Sequence, residues 1–155
     1  MANATIYRVL EALQAKTAKD FSAGYSGLDM RNSVILGALL DPPRLPYASV
    51  SFIDYTTEQG LNLSSYRMQS RFEIYCFCGG AGLADRTKNV LNLTSDIIAS
   101  ITEDRFLDLR NPDTTRTIDN TICNFTAIEG DRFGLEGVAI GYIEVTVTFQ
   151  SRTGV

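Results

Sequence analysis

The residue types that most often do chemistry in proteins are scarce in this chain. It contains no histidine, which removes the commonest general base and the commonest metal ligand. A serine or cysteine nucleophile activated by histidine is therefore excluded. The chain has three cysteines, too few for a closed four-cysteine zinc site. The composition thus predicts a protein that is not an enzyme and that holds no cofactor or metal.

One glycine-rich segment resembles a nucleotide-binding turn. Residues 78–85 read Cys-Gly-Gly-Ala-Gly-Leu-Ala-Asp, between a predicted strand and a predicted helix, as in a dinucleotide-binding glycine turn. However, Asp85 stands where glycine or alanine is needed for close packing, and its charge would lie where the pyrophosphate binds. A simple strand-to-helix turn is the favoured interpretation. A nucleotide-binding enzyme that uses Gly79–Gly82 is the alternative.

The remaining polar clusters favour structural roles. Cys76 and Cys78 occupy alternate strand positions beside Ile74, so both thiols should lie on one buried face of a sheet. The segment Glu103–Asn120 interleaves acidic with basic residues, a pattern typical of a solvated surface. Its members are Asp104, Asp108, Asp113 and Asp119 with Arg105, Arg110 and Arg116.

Charge and cysteine usage limit the partners. The chain has 14 basic and 18 acidic residues, a net charge of −4, and lacks the clustered cations that general nucleic-acid binding requires. Most of the basic residues are arginines, which suit planar contacts at protein interfaces. An odd number of cysteines fits a reducing compartment. No signal-peptide pattern and no membrane-length apolar run occur, so we expect synthesis in a host cytoplasm and no membrane partner.

Two helices can be predicted from apolar periodicity. The first runs from Thr5 to Ala18, with Asn3 or Thr5 as its N-cap, and the second runs from Ala84 to Thr102. The first helix has an apolar stripe of Ile6, Val9, Leu10 and Leu13. The buried face of the second is formed by Val90, Thr94, Ile97, Ile98 and Ile101.

Four strands are indicated by alternating polarity. They span Tyr47–Asp54, Tyr66–Cys78, Thr121–Glu129 and Val138–Gln150. The inward residues of the first are Ala48, Val50 and Phe52, those of the second Met68, Phe72, Ile74 and Cys76, and those of the last Ile143, Val145, Val147 and Phe149. Arg67, Gln69, Arg71 and Glu73 point to the opposite side of the second strand. Gly130–Gly137 is short enough to close a hairpin.

Three loops are unusually long for a compact domain. They are Asp20–Pro46, the polar hairpin tip Thr56–Ser65, and Glu103–Asn120. Within the first, Val34–Leu40 can form either a short strand or a helical turn. Loops of this length are more often functional or interfacial than idle.

The order helix, hairpin, helix, hairpin predicts an α+β fold. A small, mainly antiparallel sheet packs against two helices on one side, as an α/β sandwich. We expect residues 1–155 to form a single domain. Because the strands alternate in polarity, the second face of the sheet is left to water or to a partner.

This arrangement resembles the tail terminator, or tail-completion, proteins of tailed bacteriophages. The likeness lies in the amphipathic helix Ile6–Leu13, the proline-rich approach Pro42–Tyr47, the strand carrying Arg71 and Glu73 before the second helix, and the final strand Tyr142–Phe149. The resemblance implies a hexameric ring of identical subunits that caps the tail-tube protein and joins it to the head–neck connector, with DNA passing through the lumen. The protein would then be located in the virion, at the tail–neck junction.

Loop position nominates six interface residues. They are Arg44, Glu58, Leu61, Arg105, Arg110 and Arg116. Another connector component of the phage particle, such as a head-completion or baseplate adaptor protein, is the alternative within the same class.

Overall fold

A computed structural model describes residues 4–38, 41–59, 66–107, 109, 120–129 and 137–151. Along that part of the chain the elements are α1 (Thr5–Thr17), β1 (Val34–Leu36), β2 (Tyr47–Gln59), β3 (Tyr66–Cys78), α2 (Leu83–Glu103), β4 (Asn120–Glu129) and β5 (Ala139–Ser151). The strands form one five-stranded sheet in the order β1-β2-β3-β5-β4. All strand pairs are antiparallel except β1 with β2. The predicted α+β class, with a mainly antiparallel sheet, is confirmed.

Helix α1 buries the predicted stripe. Val9 and Leu13 are fully buried, and Ile6 and Leu10 pack against the same core. The predicted capping is not confirmed, because Ala4 occupies the N-cap position and supplies no side-chain hydrogen bond, while Thr5 is already helical. Asn3 lies outside the described residues. Burial of the apolar stripe, rather than a cap, therefore holds this helix in place.

Helix α2 packs on the same face of the sheet as α1. Val90, Ile97 and Ile101 are buried in the cluster that also contains Val9 and Leu13. Thr94 is buried too, and its hydroxyl donates to the Val90 carbonyl oxygen at 2.8 Å. The helix thus satisfies its own polar side chain within a buried face.

The inward residues of the two central strands form most of the core. On β3 and β5 the predicted sets are all fully buried: Met68, Phe72, Ile74, Cys76, Ile143, Val145, Val147 and Phe149. The alternation in the sequence therefore identified the covered face of the sheet correctly.

Strand β2 is longer than predicted and contains a bulge. It continues to Gln59, which pairs with Tyr66, so the prediction that the hairpin tip begins at Thr56 is wrong. The pairing passes from Phe52 opposite Phe72 to Asp54 opposite Arg71, which leaves Ile53 as the extra residue. Phe52 lies on the inner face as predicted but keeps 39% of its surface exposed.

Strand β1 decides the conformation left open at Val34–Leu40. Val34 pairs with Ala48 and Leu36 with Val50, in parallel. Gly37 follows at φ +104°, a backbone conformation that favours glycine. The long loop Asp20–Pro46 is thus interrupted by an edge strand of the sheet.

The first part of that loop is attached to α2 through Asp96. The backbone N–H groups of Tyr25 and Ser26 donate to the two Asp96 carboxylate oxygens at 2.9 and 2.8 Å. Gly24 lies so close that a Cβ there would come within 2.6 Å of Asp96 Oδ1. A glycine is therefore needed for the carboxylate to reach both N–H groups.

Among the described residues, no helix is long and apolar enough to cross a membrane.

Candidate functional site

The face of the sheet opposite the helices, which we call the open face, carries a polar network. Its central residues come from the outward positions of β3, where Arg67 and Gln69 are exposed and Arg71 and Glu73 are half-buried. Residues paired across strands share a face, so Asp54 on β2 and Glu144 on β5 belong to the same surface. The network therefore combines residues that are distant in the sequence.

A two-pronged ion pair joins β2 to β3 on this face. The Arg71 guanidinium donates from Nε to Asp54 Oδ1 at 2.7 Å and from Nη2 to Asp54 Oδ2 at 2.6 Å. These hydrogen bonds lower the pKa of the Asp54 carboxyl below its ordinary value and raise the pKa of Arg71. The bulge makes this pair possible, because the extra residue Ile53 places Asp54 opposite Arg71.

Two carboxylates are opposed at the centre of the open face. Glu73 on β3 pairs directly with Glu144 on β5, an arrangement that is destabilising between like charges. The Ser51 hydroxyl donates to Glu73 Oε1 at 3.1 Å, and Arg71 Nη1 lies 3.7 Å from Glu144 Oε1. Each carboxylate thus has a polar or charged partner, although the two together keep the centre of the open face acidic.

Two tyrosines, Tyr75 on β3 and Tyr142 on β5, extend the polar network along these two strands. The rings of Tyr75 and Tyr142 have centroids 5.1 Å apart, and the Tyr142 hydroxyl donates to Glu144 Oε2 across a long 3.5 Å. Burial, followed by the charges of Glu73 and Glu144, raises the pKa of Tyr142 to about 12. Tyr142 therefore stays protonated and remains a hydrogen-bond donor over the physiological range of pH.

A shallow cavity of about 200 Å³ opens beside this network. It is lined by polar residues of three strands, Thr56, Arg67, Gln69 and Thr148. Such a surface offers donors and acceptors but no apolar enclosure for a small molecule. No group of three or more potential metal ligands occurs within the described ranges. The open face is better suited to contact another polar protein surface than to bind a small ligand.

The glycine turn between β3 and α2 serves backbone packing. A Cβ on Gly80 would lie 2.7 Å from the Arg86 backbone nitrogen, and Gly82 is the N-cap of α2. The Asn89 side chain donates to the Gly79 carbonyl oxygen at 2.8 Å. Strand β3 is antiparallel to both of its neighbours, whereas a dinucleotide-binding turn belongs to a parallel sheet. These features favour the strand-to-helix interpretation.

A second cavity, of about 250 Å³, lies against this turn. Its lining combines the loop before β1 with the approach to β2 and the end of β3: Ser26, Leu28, Leu45, Pro46, Cys78, Gly79 and Asn89. The Cys78 thiol is buried, and burial raises its pKa to about 12. Burial also raises the pKa of Cys76. Neither thiol is a nucleophile at neutral pH, and both face the core as predicted.

The nominated interface residues are placed in different regions. Arg44 is exposed, donates to the Asn32 carbonyl oxygen, and lies with its guanidinium 5.4 Å from the Tyr47 ring centre. Arg105 is exposed beside the Phe106 ring, at 4.9 Å. Glu58 belongs to β2 rather than to a loop and pairs in register with Arg67. Leu61, Arg110 and Arg116 lie outside the described residues.

Two features of this molecule were not predicted from its sequence. The first is the opposition of Glu73 and Glu144. Alternating polarity predicts the face on which each residue lies, but it does not predict the register between the two strands. Asp96 was also missed, since an aspartate within a helix ordinarily faces solvent. Its position beside the buried residues Leu93 and Ile97 is the signal that could have found it.

Comparisons with known proteins give a likeness of structure rather than of sequence. No known protein family and no curated protein matches the sequence. Among solved structures, a chain from the virion of a native gene transfer agent particle is similar, with a TM-score of 0.53 and 13% identical residues. The match covers 97% of this chain and 100% of that chain. At this level of identity, the likeness shows a shared fold and no more.

Proposed function

We propose that this chain is a structural protein of a phage-like virion. The observation that carries the proposal is the similarity of fold to a virion chain over nearly the full length of both proteins. A partial match would fit many small α+β domains, but agreement from end to end includes the order of helices and strands. The polar open face supports the same proposal, because it offers contacts to another protein.

Within the virion, we propose the role of a tail terminator. The chain would assemble into a hexameric ring on the last ring of tail-tube protein and would present its other side to the head–neck connector. Support comes from the sequence resemblance and from Arg44 and Arg105, which are exposed and available for contact. The net charge of −4 would keep DNA from adhering to the ring as it passes through the lumen.

The proposal is tested with the purified chain and purified tail tubes. Negative-stain electron microscopy should show a ring at one end of each tube, and tubes incubated with the chain should stop growing. Mass spectrometry of intact particles should find the chain in the virion. Its absence from particles would contradict the structural role, and its presence without binding to tubes would contradict the terminator role.

Charge reversals then locate the interface. The sequence predicts that Arg110 and Arg116 lie in a solvated loop, where charges contribute little to stability. We therefore expect Arg110→Glu and Arg116→Glu to weaken assembly while the chain stays folded. Arg44→Glu and Arg105→Glu test the two described arginines in the same way. Lys88→Glu, an exposed position on α2, is the matched control. Assembly that is unaffected by all four arginine variants would refute the interface assignment.

A further inference from the structure

Within the described residues, the outer edge of β4 carries none of the usual protections of an edge strand. β4 is ten residues long and, within the described ranges, pairs only with β5. Its sequence, Asn-Thr-Ile-Cys-Asn-Phe-Thr-Ala-Ile-Glu, has no proline and no charge before Glu129. Natural proteins usually interrupt a free edge with lysine, proline, a bulge or a covering element, since a bare edge pairs with other chains. Ile122 adds an apolar side chain that is 53% exposed.

The opposite edge of the sheet is protected over only half of its length. β1 pairs with β2 only along Ala48–Val50. The Gln14 side chain donates to the Val34 carbonyl oxygen of β1 at 3.2 Å. β1 ends at Leu36, opposite Val50, so among the described residues no strand lies beside β2 from Phe52 onward. Phe52 and Tyr55 are exposed there, with ring centres 6.2 Å apart.

These two free segments have complementary directions. β2, β3, β5 and β4 are successively antiparallel, so β4 runs antiparallel to β2. If identical sheets are placed side by side, the β4 of one meets the β2 of the next in antiparallel orientation, which allows short, direct hydrogen bonds. Each copy has one edge of each kind, so the pairing is head to tail and closes into a ring if the rotation permits.

In both segments the even-numbered residues lie on the same face of the sheet. Ile122 and Asn124 lie opposite Thr146 and Glu144, so the even-numbered residues of β4 are on the open face. From the bulge onward the even-numbered residues of β2 are on the same face, since Asp54 pairs with Arg71 and Thr56 with Gln69. Residues that face one another across strands must share a face. Only registers that pair even with even positions are therefore allowed.

We propose that residues 120–124 of one copy pair with the β2 strand of the next from Asp54 onward, which joins neighbouring sheets into one. This inference rests on the self-assembly in the proposed function and specifies the contact that produces it. Asn124 then lies on the open face near Asp54, whose carboxylate can accept from an amide. Ile122 is covered by the neighbouring strand.

Cysteine cross-linking tests the pairing and its register. Thr56→Cys is combined in turn with Asn120→Cys, Ile122→Cys and Asn124→Cys, all in a Cys123→Ser background that keeps only the buried native thiols. Residues directly opposite on antiparallel strands have Cβ atoms close enough for a disulfide. We expect one combination to give a ladder of oligomers on a non-reducing gel under mild oxidation. Thr121 lies on the opposite face of the sheet from Thr56, so Thr56→Cys combined with Thr121→Cys should give no ladder.

Three results would overturn the inference. The first is a monomer in every double-cysteine combination. The second is a dimer in any single-cysteine variant, which would indicate that an edge pairs with itself across a two-fold axis. The third is a ladder of equal strength for Thr121→Cys and for the even-numbered positions of β4. Tube binding measured on the same protein separates this from the proposed function. Binding without a ladder contradicts only the edge pairing, whereas a ladder without binding contradicts only the terminator role.

A charge on the edge gives an independent measurement. Ile122→Lys places a charge on the β4 edge. We expect it to prevent the higher oligomers that light scattering should detect for the unaltered chain, while its melting temperature matches that of Leu91→Lys. Leu91 is an apolar residue of α2 that is 40% exposed, so it provides the same substitution away from the edge. Equal association of the two variants would contradict the proposal.

Discussion

On the helix-covered face of the sheet, Phe72, Val145 and Phe149 are fully buried, while on the open face the side chains of Arg71 and Glu144 keep 43% and 29% of their surface exposed. Both faces are built from the same strands, and only one residue in two contributes to each. Burial of apolar area dominates on the covered face. On the open face, exposed ion pairs and hydrogen bonds contribute little to stability. The covered face therefore determines folding, and the open face is available for recognition.

The largest expected effect comes from a charge on the covered face. Ile97→Asp places an unpaired carboxylate among fully buried neighbours, which costs about 4 kcal/mol or more and should unfold the domain. Circular dichroism should show the loss of a cooperative melt. Ile97→Val, which removes one methylene at a cost of about 1 kcal/mol, is the control. A native-like Ile97→Asp protein would refute the packing of α2.

A smaller effect is expected where a polar group is buried beside the core. Asp96→Ala removes the acceptor of the Tyr25 and Ser26 N–H groups, at a cost of about 1–3 kcal/mol for donors left unsatisfied. Hydrogen exchange at those two amides should accelerate, as measured by NMR. Ser95→Ala, on the exposed side of the same helix, should change neither. Unchanged exchange in Asp96→Ala would show that the carboxylate does not hold the loop.

On the open face, Arg71→Ala should change the pKa of Asp54 more than it changes the free energy of unfolding at neutral pH. Arg71 lowers the pKa of Asp54 below 3.8, so the pair stabilises the fold above that pH, and this contribution is lost as the pH falls through the folded value. In Arg71→Ala the pKa of Asp54 should return towards its ordinary value, and the acid-dependent stability that comes from this pair should disappear. An NMR titration of the Asp54 carboxyl measures this.

Arg31→Ala provides the comparison for that titration. It should raise the pKa of Asp29, which Arg31 lowers through its hydrogen bonds, and should leave Asp54 unchanged. A shift of Asp54 in this variant would mean that the effect is a general one of net charge.

The smallest effect at neutral pH is expected for Glu144→Gln. Burial is the main cause of the raised pKa of Tyr142, and the charges of Glu73 and Glu144 add to it. The substitution should therefore lower that pKa below about 12 without returning it to the ordinary value near 10. A raised pKa gives stability that is complete below pH 10 and is lost as the pH rises towards 12. Tyrosinate absorbance detects the step, and Tyr142→Phe should remove it.

The sequence was most informative where one face of a long element is covered. Strands β3 and β5 are each thirteen residues long, so their alternation extends over enough positions to be recognised, and every predicted inward residue of the two strands is buried. The apolar stripes of both helices were predictable for the same reason, because each faces the common core.

Contacts between distant segments could not be predicted in this way. β1 has three residues, which is too short for any period, and it forms by parallel pairing with a strand that follows later in the chain. The opposition of Glu73 and Glu144 depends on the register between β3 and β5, which is set by the packed core and not by local pattern. The attachment of Tyr25 and Ser26 to Asp96 likewise depends on tertiary packing. The nominated interface residues remain predictions.

The extra residue at Ile53 also affects how the chain tolerates changes of length. Loss of Ile53 would leave Phe52 opposite Phe72 and Asp54 opposite Arg71, so every other partner in the hairpin would be preserved. Loss of one residue at an unbulged position of β3 would instead exchange the inward and outward side chains along the remainder of the strand. Relatives of this protein should therefore gain or lose single residues at this position in β2 and keep the length of β3 constant.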